Sequence, residues 1–398
     1  MKALILLAKA DTSDEALLAL DICSNASRFG LEVSVAAFED GALAGEFERF
    51  GFRFYRVHKE PGVDLNAVYS LRTVVRSGNF DIVHAFGPAQ ALIAYSSTLG
   101  IKRIKRVLSY FSEDREGRFG SKRVAKLMDA NIVPSRSFFS RLRKKSGIDT
   151  KKNFYLIQKG VDENRVKRDA SAFRKALNAG EKTKIVGMAA DFDGTVKCDH
   201  LTVCKSLPEV FKKHERSCFV FMGSVEAAGE DDFEACIDLC DTNGIGGRVF
   251  FVGRRPDPNP WMSSLAAYVY SASSSSFPTS VVEAMLAGIP VVVSDTESLL
   301  ELTDEGNAAG VFVRGDEKEL SDSLNTLLSN KKVCEKRARD AREFARSNYS
   351  IDNHLASLKT LYFELSGSPE KGKKPEEKEE EVEEKSKSAG SGSLLGLD

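Results

Sequence analysis

Between Ser271 and Asp295 the chain sets out residues with chemical potential in a compact order. A serine run, Ser273-Ser274-Ser275-Ser276, precedes Phe277-Pro278-Thr279-Ser280. Val281-Val282-Glu283-Ala284-Met285-Leu286-Ala287-Gly288 follows, and then the apolar Val291-Val292-Val293. The pattern predicts a strand ending near Ser271, a polar loop, a helix capped by Ser280 and closed by Gly288, and a further strand at Val291–Val293. A helix start beside the carboxyl ends of parallel strands offers free N–H groups and the positive end of a dipole, so it suits a phosphate. Taken alone, Ser280-Val281-Val282-Glu283 fits a capping box, in which the glutamate closes its own helix start.

Other residues carry weaker chemical signals. His84 sits at the end of an apolar run, where it could touch a ligand in a cleft or be a satisfied core histidine. Asp191-Phe192-Asp193 is a D-x-D, but no further oxygen ligands are placed by the pattern, and no metal is expected. The seven cysteines are Cys23, Cys198, Cys204, Cys218, Cys236, Cys240 and Cys334. They include no C-x-x-C pair and no histidine completes a metal set, so reduced structural thiols are expected.

The elements that must position these groups alternate from the first residue. In the first half, apolar runs stand at Ala3–Leu7, Glu32–Ala37, Phe52–Val57, Ile82–Ala85, Val107–Tyr110, Asn131–Val133 and Phe154–Ile157. The second half repeats the rhythm at Lys184–Ala189, Phe219–Met222, Val249–Val252, Tyr268–Tyr270, Val291–Val293 and Val311–Val313. Helical patterns separate most of them. Runs of Val, Ile and Leu alternating with helices imply parallel sheets covered on both faces. Two rounds imply two doubly wound α/β domains. The opening Met1–Ala10 has only a six-residue apolar run, and a buried first strand explains it better than a signal peptide. No apolar stretch approaches the ~18–20 residues of a membrane span.

The domains expected are residues 1–165, residues 166–349, a returning helix at 350–365 with Ser350 as its cap, and a tail at 366–398. The boundary is placed in the charged segment Asp162–Lys182, which carries no strand pattern. Gly, Ser, Pro, Lys and Glu dominate the tail, so it is expected to be disordered.

The Ser271–Asp295 stretch resembles the signature of the retaining glycosyltransferases of family 4. Phe277-Pro278, Glu283-Ala284-Met285, Ala287-Gly288 and Pro290-Val291-Val292 carry the match. Asp81-Ile82-Val83-His84-Ala85, Ile157-Gln158-Lys159-Gly160-Val161-Asp162 and Val186-Gly187-Met188-Ala189-Ala190 are similar to further family segments. The resemblance extends over about residues 1–365 and implies the GT-B fold, two Rossmann-like domains facing a cleft. It implies that Glu283 binds the ribose of a nucleotide-sugar donor and that Lys197 binds its diphosphate. Ser275, Ser276, Phe277, Pro278 and Thr279 would surround the sugar and phosphates. Gly253 and Arg254 would lie beside the base, and His84 would face the cleft.

The sequence departs from the family pattern at several places. Ser275 stands where the family has the first glutamate of its E-x7-E motif, and Ser276 replaces a glycine. The arginine of the family's diphosphate pair falls on Asp191, or on Met188 in another register. Thr12-Ser13-Asp14-Glu15 replaces a Gly-Gly-x-Glu loop, and Phe111 replaces a histidine. The expected function is transfer of a sugar from a nucleotide-sugar to a glycan or lipid-linked acceptor with retention of configuration. His84, Lys197 and Ser275 are its candidate catalytic residues, and no cofactor is expected. The alternative is a non-catalytic binding or accessory protein of the same fold.

Charge points to one more partner. The net charge is −1 over 398 residues, yet Ile101–Arg168 holds 20 Lys and Arg against 7 Asp and Glu. Such a concentration suggests an anionic membrane surface, with the protein cytoplasmic and peripheral on the inner face. Phe138 and Phe139 lie beside the cluster, as shallow insertions or as core. No nucleic-acid motif accompanies the charge.

Overall fold

The structure is a computed structural model and describes residues 1–57, 59–60, 64–111, 120–146, 153–166, 171–194, 198–253, 261–273 and 277–367. The first sheet holds β1 (Lys2–Lys9), β2 (Glu32–Glu39), β3 (Phe54–Arg56), β4 (Ile82–Phe86), β5 (Lys105–Ser109), β6 (Ala130–Val133) and β7 (Phe154–Leu156). Its order is β3-β2-β1-β4-β5-β6-β7. The second sheet holds β8 (Lys184–Ala189), β9 (Ser217–Met222), β10 (Val249–Val252), β11 (Leu265–Tyr270), β12 (Val291–Ser294) and β13 (Gly310–Phe312), in the order β10-β9-β8-β11-β12-β13. Every pairing between these strands is parallel.

Alternate side chains of β1 feed opposite faces. Ala3, Ile5 and Leu7 pack toward the helices Asp14–Asn25 and Ile351–Ser366, while Leu4 and Leu6 pack toward Leu65–Gly78 and Pro88–Thr98. Both faces are dry, which is why the sequence runs apolar without alternation. Ile185 and Val186 divide β8 in the same way. The chain order reverses between β1 and β4, and again between β8 and β11. Crevices outside the carboxyl ends of strands at such reversals are where α/β sheets bind ligands.

The last helix, Ile351–Ser366, begins as expected at Ser350, whose hydroxyl accepts from the Asn353 amide at 3.3 Å. It returns to the first domain, where Leu355, Leu358, Leu361 and Tyr362 are buried. Each such apolar side chain contributes about 1.5–3 kcal/mol on leaving water. The segment Asp162–Lys182 carries two short helices, Glu163–Val166 and Ser171–Ala176, and no strand among its described residues. The tail from residue 368 lies outside the described residues.

The chain crosses between the domains twice, and the crossings touch. The Val161 amide donates to the Tyr349 carbonyl at 2.9 Å, and the Ile351 amide donates to the Val161 carbonyl at 3.0 Å. Gly160 makes this possible. A Cβ there would lie 2.6 Å from the His354 Cβ and 2.9 Å from the Ile351 Cα.

A second contact between the domains forms at the helix Arg136–Ser146. Its first amides are capped by the other domain, with Arg136 N and Ser137 N donating to Glu301 at 2.6 and 2.8 Å. Arg141 donates to Ser298 at 2.9 Å and pairs with Glu297 at 3.2 Å. Arg141, a member of the basic cluster, is thus used within the molecule. Phe138 is buried against Tyr110, and Phe139 packs on Phe154, so both belong to the core.

Candidate active site

The two reversal points meet around the start of the helix Thr279–Ala287. That start differs from the sequence expectation. The helix begins at Thr279, with Pro278 as its N-cap residue and no side-chain cap. Proline suits the position because its missing N–H is not needed there. Ser280 therefore lies inside the first turn, and its hydroxyl accepts from the Tyr268 phenol at 2.8 Å. The capping box between Ser280 and Glu283 does not form. Gly288 closes the helix in the left-handed region at φ 77°, as expected.

Glu283 instead turns to a distant partner. Its Oε1 accepts from Arg165 Nη1 at 2.8 Å, and Arg165 is held by Asp21 through Nε at 2.8 Å and Nη2 at 3.0 Å. Asp21, Arg165 and Glu283 are 2%, 7% and 6% exposed. They join the first domain, the crossing segment and the second domain. Burial pushes the Glu283 carboxyl above its ordinary range, and the Arg165 charge pulls it back. The same balance acts on Asp21. Burial opposes the charge on Arg165, but the two carboxylates outweigh it and raise its pKa.

A second buried cation lies nearby. Lys159 Nζ is 3.3 Å from the Phe277 carbonyl oxygen and 3.4 Å from Asp14 Oδ2. It lies 5.0 Å from the Phe111 ring centre and 5.4 Å from that of Phe277. Asp14 also accepts from the Thr279 hydroxyl at 2.6 Å. Residues of both domains, Asp14, Phe111 and Lys159 on one side and Phe277 and Thr279 on the other, thus line one junction.

The remaining candidates fall as follows. Phe277, Pro278 and Thr279 form the helix start, and Gly253 is exposed at the end of β10 with open space on its Cβ side. Lys197, Arg254, Ser275 and Ser276 lie outside the described residues. His84 is fully buried, with Nδ1 2.6 Å from the Tyr362 hydroxyl and Nε2 2.8 Å from Ser109 Oγ. Burial, with His354 adding to it, lowers its pKa to about 3 and keeps it neutral. Its surroundings are those of a core histidine tying β4 and β5 to the last helix. Asp191 accepts from the Ser224 amide and hydroxyl at 2.7 and 2.9 Å, which occupies Oδ1 with a neighbouring loop.

Sequence reasoning did not single out Asp21, Arg165 or Lys159. Lys159 stands inside the segment Ile157–Asp162, whose likeness to a family segment assigns it no role of its own.

Comparison with known proteins bears on this geometry. The family model for glycosyltransferase family 4 matches residues 17–165, and that for glycosyl transferases group 1 matches residues 169–344. The chain belongs to the family 4-like glycosyltransferases of the GT-B fold. A lipopolysaccharide core biosynthesis mannosyltransferase of Rhizobium leguminosarum bv. viciae is 24% identical over 41% of this chain and 46% of its own length. An O-antigen biosynthesis glycosyltransferase of Escherichia coli is 25% identical over 39% of this chain and 40% of its own. The chain thus spans less than half the length of these two relatives. An N-acetyl-alpha-D-glucosaminyl L-malate synthase of Bacillus anthracis is 20% identical over 80% of this chain and 84% of its own. Among solved structures, Anabaena Alr3699/HepE in complex with UDP-glucose superposes with a TM-score of 0.75 at 18% identity, covering 92% of this chain and 100% of that one. A glycosyltransferase from Rickettsia africae gives 0.74 at 13% identity, covering 91% and 98%. These superpositions show that the fold is shared over about nine-tenths of the chain.

Proposed function

We propose that the chain transfers a sugar from a nucleotide-sugar donor to a glycan or lipid-linked acceptor, with retention of configuration. The observation that carries this reading is the placement of Glu283 and an uncapped helix start where the carboxyl ends of two parallel sheets meet. Glu283 accepts from the ribose hydroxyls, and Lys197 contacts the diphosphate. Ser275, Ser276, Phe277, Pro278 and Thr279 enclose the sugar and phosphates, while Gly253 and Arg254 flank the base. His84 supports the cleft from the core. The acceptor hydroxyl forms the new bond to the anomeric carbon, the bond to the diphosphate oxygen breaks, and the hydroxyl proton leaves with the diphosphate. Helix-end amides and cations that stabilise the departing charge lower this barrier. Retention rests on the family resemblance, and the UDP and UDP-glucose complexes of Alr3699/HepE support a nucleotide-sugar in such a cleft.

Ser275 in place of a glutamate favours a second reading, a protein that binds a nucleotide-sugar without transferring the sugar. Calorimetric titration with nucleotides and nucleotide-sugars, followed by NMR of the product's anomeric centre, separates the two. Donor binding with an anomer that matches the donor supports a retaining transferase. Binding without turnover supports the second reading, and no binding at millimolar nucleotide removes both.

A further inference from the structure

We propose that Lys159 binds the donor diphosphate and supplies, from the first domain, the positive charge that the family's arginine supplies from the second. The proposal rests on the nucleotide-sugar reading above. The family's arginine position falls on Asp191 or, in another register, on Met188; Met188 carries no charge, and the Asp191 carboxylate is turned to Ser224 at 2.7 and 2.9 Å. An acid so placed cannot neutralise a diphosphate.

Among the described residues, Lys159 and Arg165 are the buried cationic side chains. Arg165 is committed to two carboxylates at 2.8 to 3.0 Å. Lys159 is held differently. It is 5% exposed, yet its two oxygen contacts are 3.3 and 3.4 Å long. Charge-assisted hydrogen bonds to oxygen are normally about 2.7–2.9 Å. An ammonium has three protons to donate, and no third acceptor for Lys159 occurs among the described residues. The cation is confined but under-bonded.

What surrounds it favours an anionic ligand. The faces of Phe111 and Phe277 lie at 5.0 and 5.4 Å and keep water from the ammonium. A cation shielded in this way attracts a phosphate more strongly than an exposed one. The carbonyl it touches belongs to Phe277, two residues before the uncapped start of the nine-residue helix Thr279–Ala287. A buried cation and a free helix start thus converge from opposite domains. Asp14 is the opposing charge, and it is balanced by Lys159 at 3.4 Å and by the Thr279 hydroxyl at 2.6 Å. Phe277 follows directly on the serines that stand in place of the family's glutamate and glycine. Lys159 therefore flanks the loop where the diphosphate bond must break.

The test compares wild type, Lys159→Met, Lys159→Gln and Lys159→Arg by calorimetry on the full chain. The probes are UDP, GDP, ADP and dTDP, each beside its nucleoside, with inorganic pyrophosphate as competitor. Thermal melting identifies which variants fold, and Lys159→Gln carries the comparison if Lys159→Met does not. Affinity for the diphosphate that wild type binds is expected to fall about 10- to 100-fold in the neutral variants. Nucleoside affinity should stay within about twofold and Lys159→Arg should recover most of the loss, because a retained charge preserves phosphate binding but not nucleoside packing. Equal losses for nucleoside and diphosphate, or no loss, would overturn the proposal and leave Lys159 as a contact between domains. If wild type binds none of the diphosphates, the nucleotide-sugar reading fails first and the proposal falls with it.

Discussion

Arg165 shows how much a single side chain can decide. It pairs with two buried carboxylates, one in each domain, and opposes the rise in pKa that burial imposes on them. Removing one partner of a buried ion pair is far costlier than the pair's net worth, because the remaining charges stay desolvated. Arg165→Met is therefore expected to cost about 3–5 kcal/mol in denaturant unfolding. Without its cation Glu283 keeps only influences that raise its pKa, burial first and then the nearby Asp14 and Asp21. It then takes up a proton at higher pH and loses acceptor strength. Donor affinity in Arg165→Met should be weakened most at low pH and recover as pH rises, whereas Arg165→Lys should show a smaller displacement. A calorimetric pH series checks the direction, and parallel profiles for wild type and Arg165→Met would show that Arg165 does not govern Glu283. None of this was legible locally. Arg165 and Glu283 are 118 residues apart, and nothing in Ser280-Val281-Val282-Glu283 announces a distant guanidinium. The capping box was the better local reading, and it lost to a buried charge and to a proline that opens the helix earlier.

Elements were easier to read than partners. β1, β4, β8 and β12 stand as continuous apolar runs because both faces of each sheet are covered, and their positions follow from composition alone. β11 begins at Leu265 rather than Tyr268, since the alanines at its start carry little strand signal. The interdomain capping of the helix Arg136–Ser146 had no signal either, because Glu301 belongs to the other half of the chain. Loss of a helix cap typically costs about 0.5–2 kcal/mol. Glu301→Ala should lower the melting temperature by a few degrees and speed hydrogen exchange at the Arg136 and Ser137 amides. Unchanged exchange at those amides would mean that the contact does not persist in solution.

At the scale of the whole molecule, the charge excess in the first domain remains the feature that fold alone leaves unexplained. No described helix is long and apolar enough to cross a membrane. Arg141 is engaged by the second domain, while Arg143 and Lys144 are exposed on the same helix. We propose that this surface meets anionic lipid, each basic residue near the surface contributing about 1 kcal/mol. Arg143→Glu with Lys144→Glu should reduce sedimentation with phosphatidylserine vesicles and leave melting nearly unchanged. High salt should have the same effect, because the Debye length falls from about 10 Å at 0.1 M to about 3 Å at 1 M. Equal sedimentation with neutral and anionic vesicles would mark the cluster as an ordinary solvated face.

The return of the last helix bears on how such proteins can be recombined. Leu355, Leu358, Leu361 and Tyr362 belong to the core of the first domain, though they are encoded after the whole of the second. A chimera joined once, near residue 165, would seat a foreign terminal helix on a first domain whose core was shaped for another sequence. Grafting a new second domain therefore takes two junctions, at the paired crossings around Val161 and Ser350. The exchangeable cassette is an insertion within the first domain, not the second half of the chain.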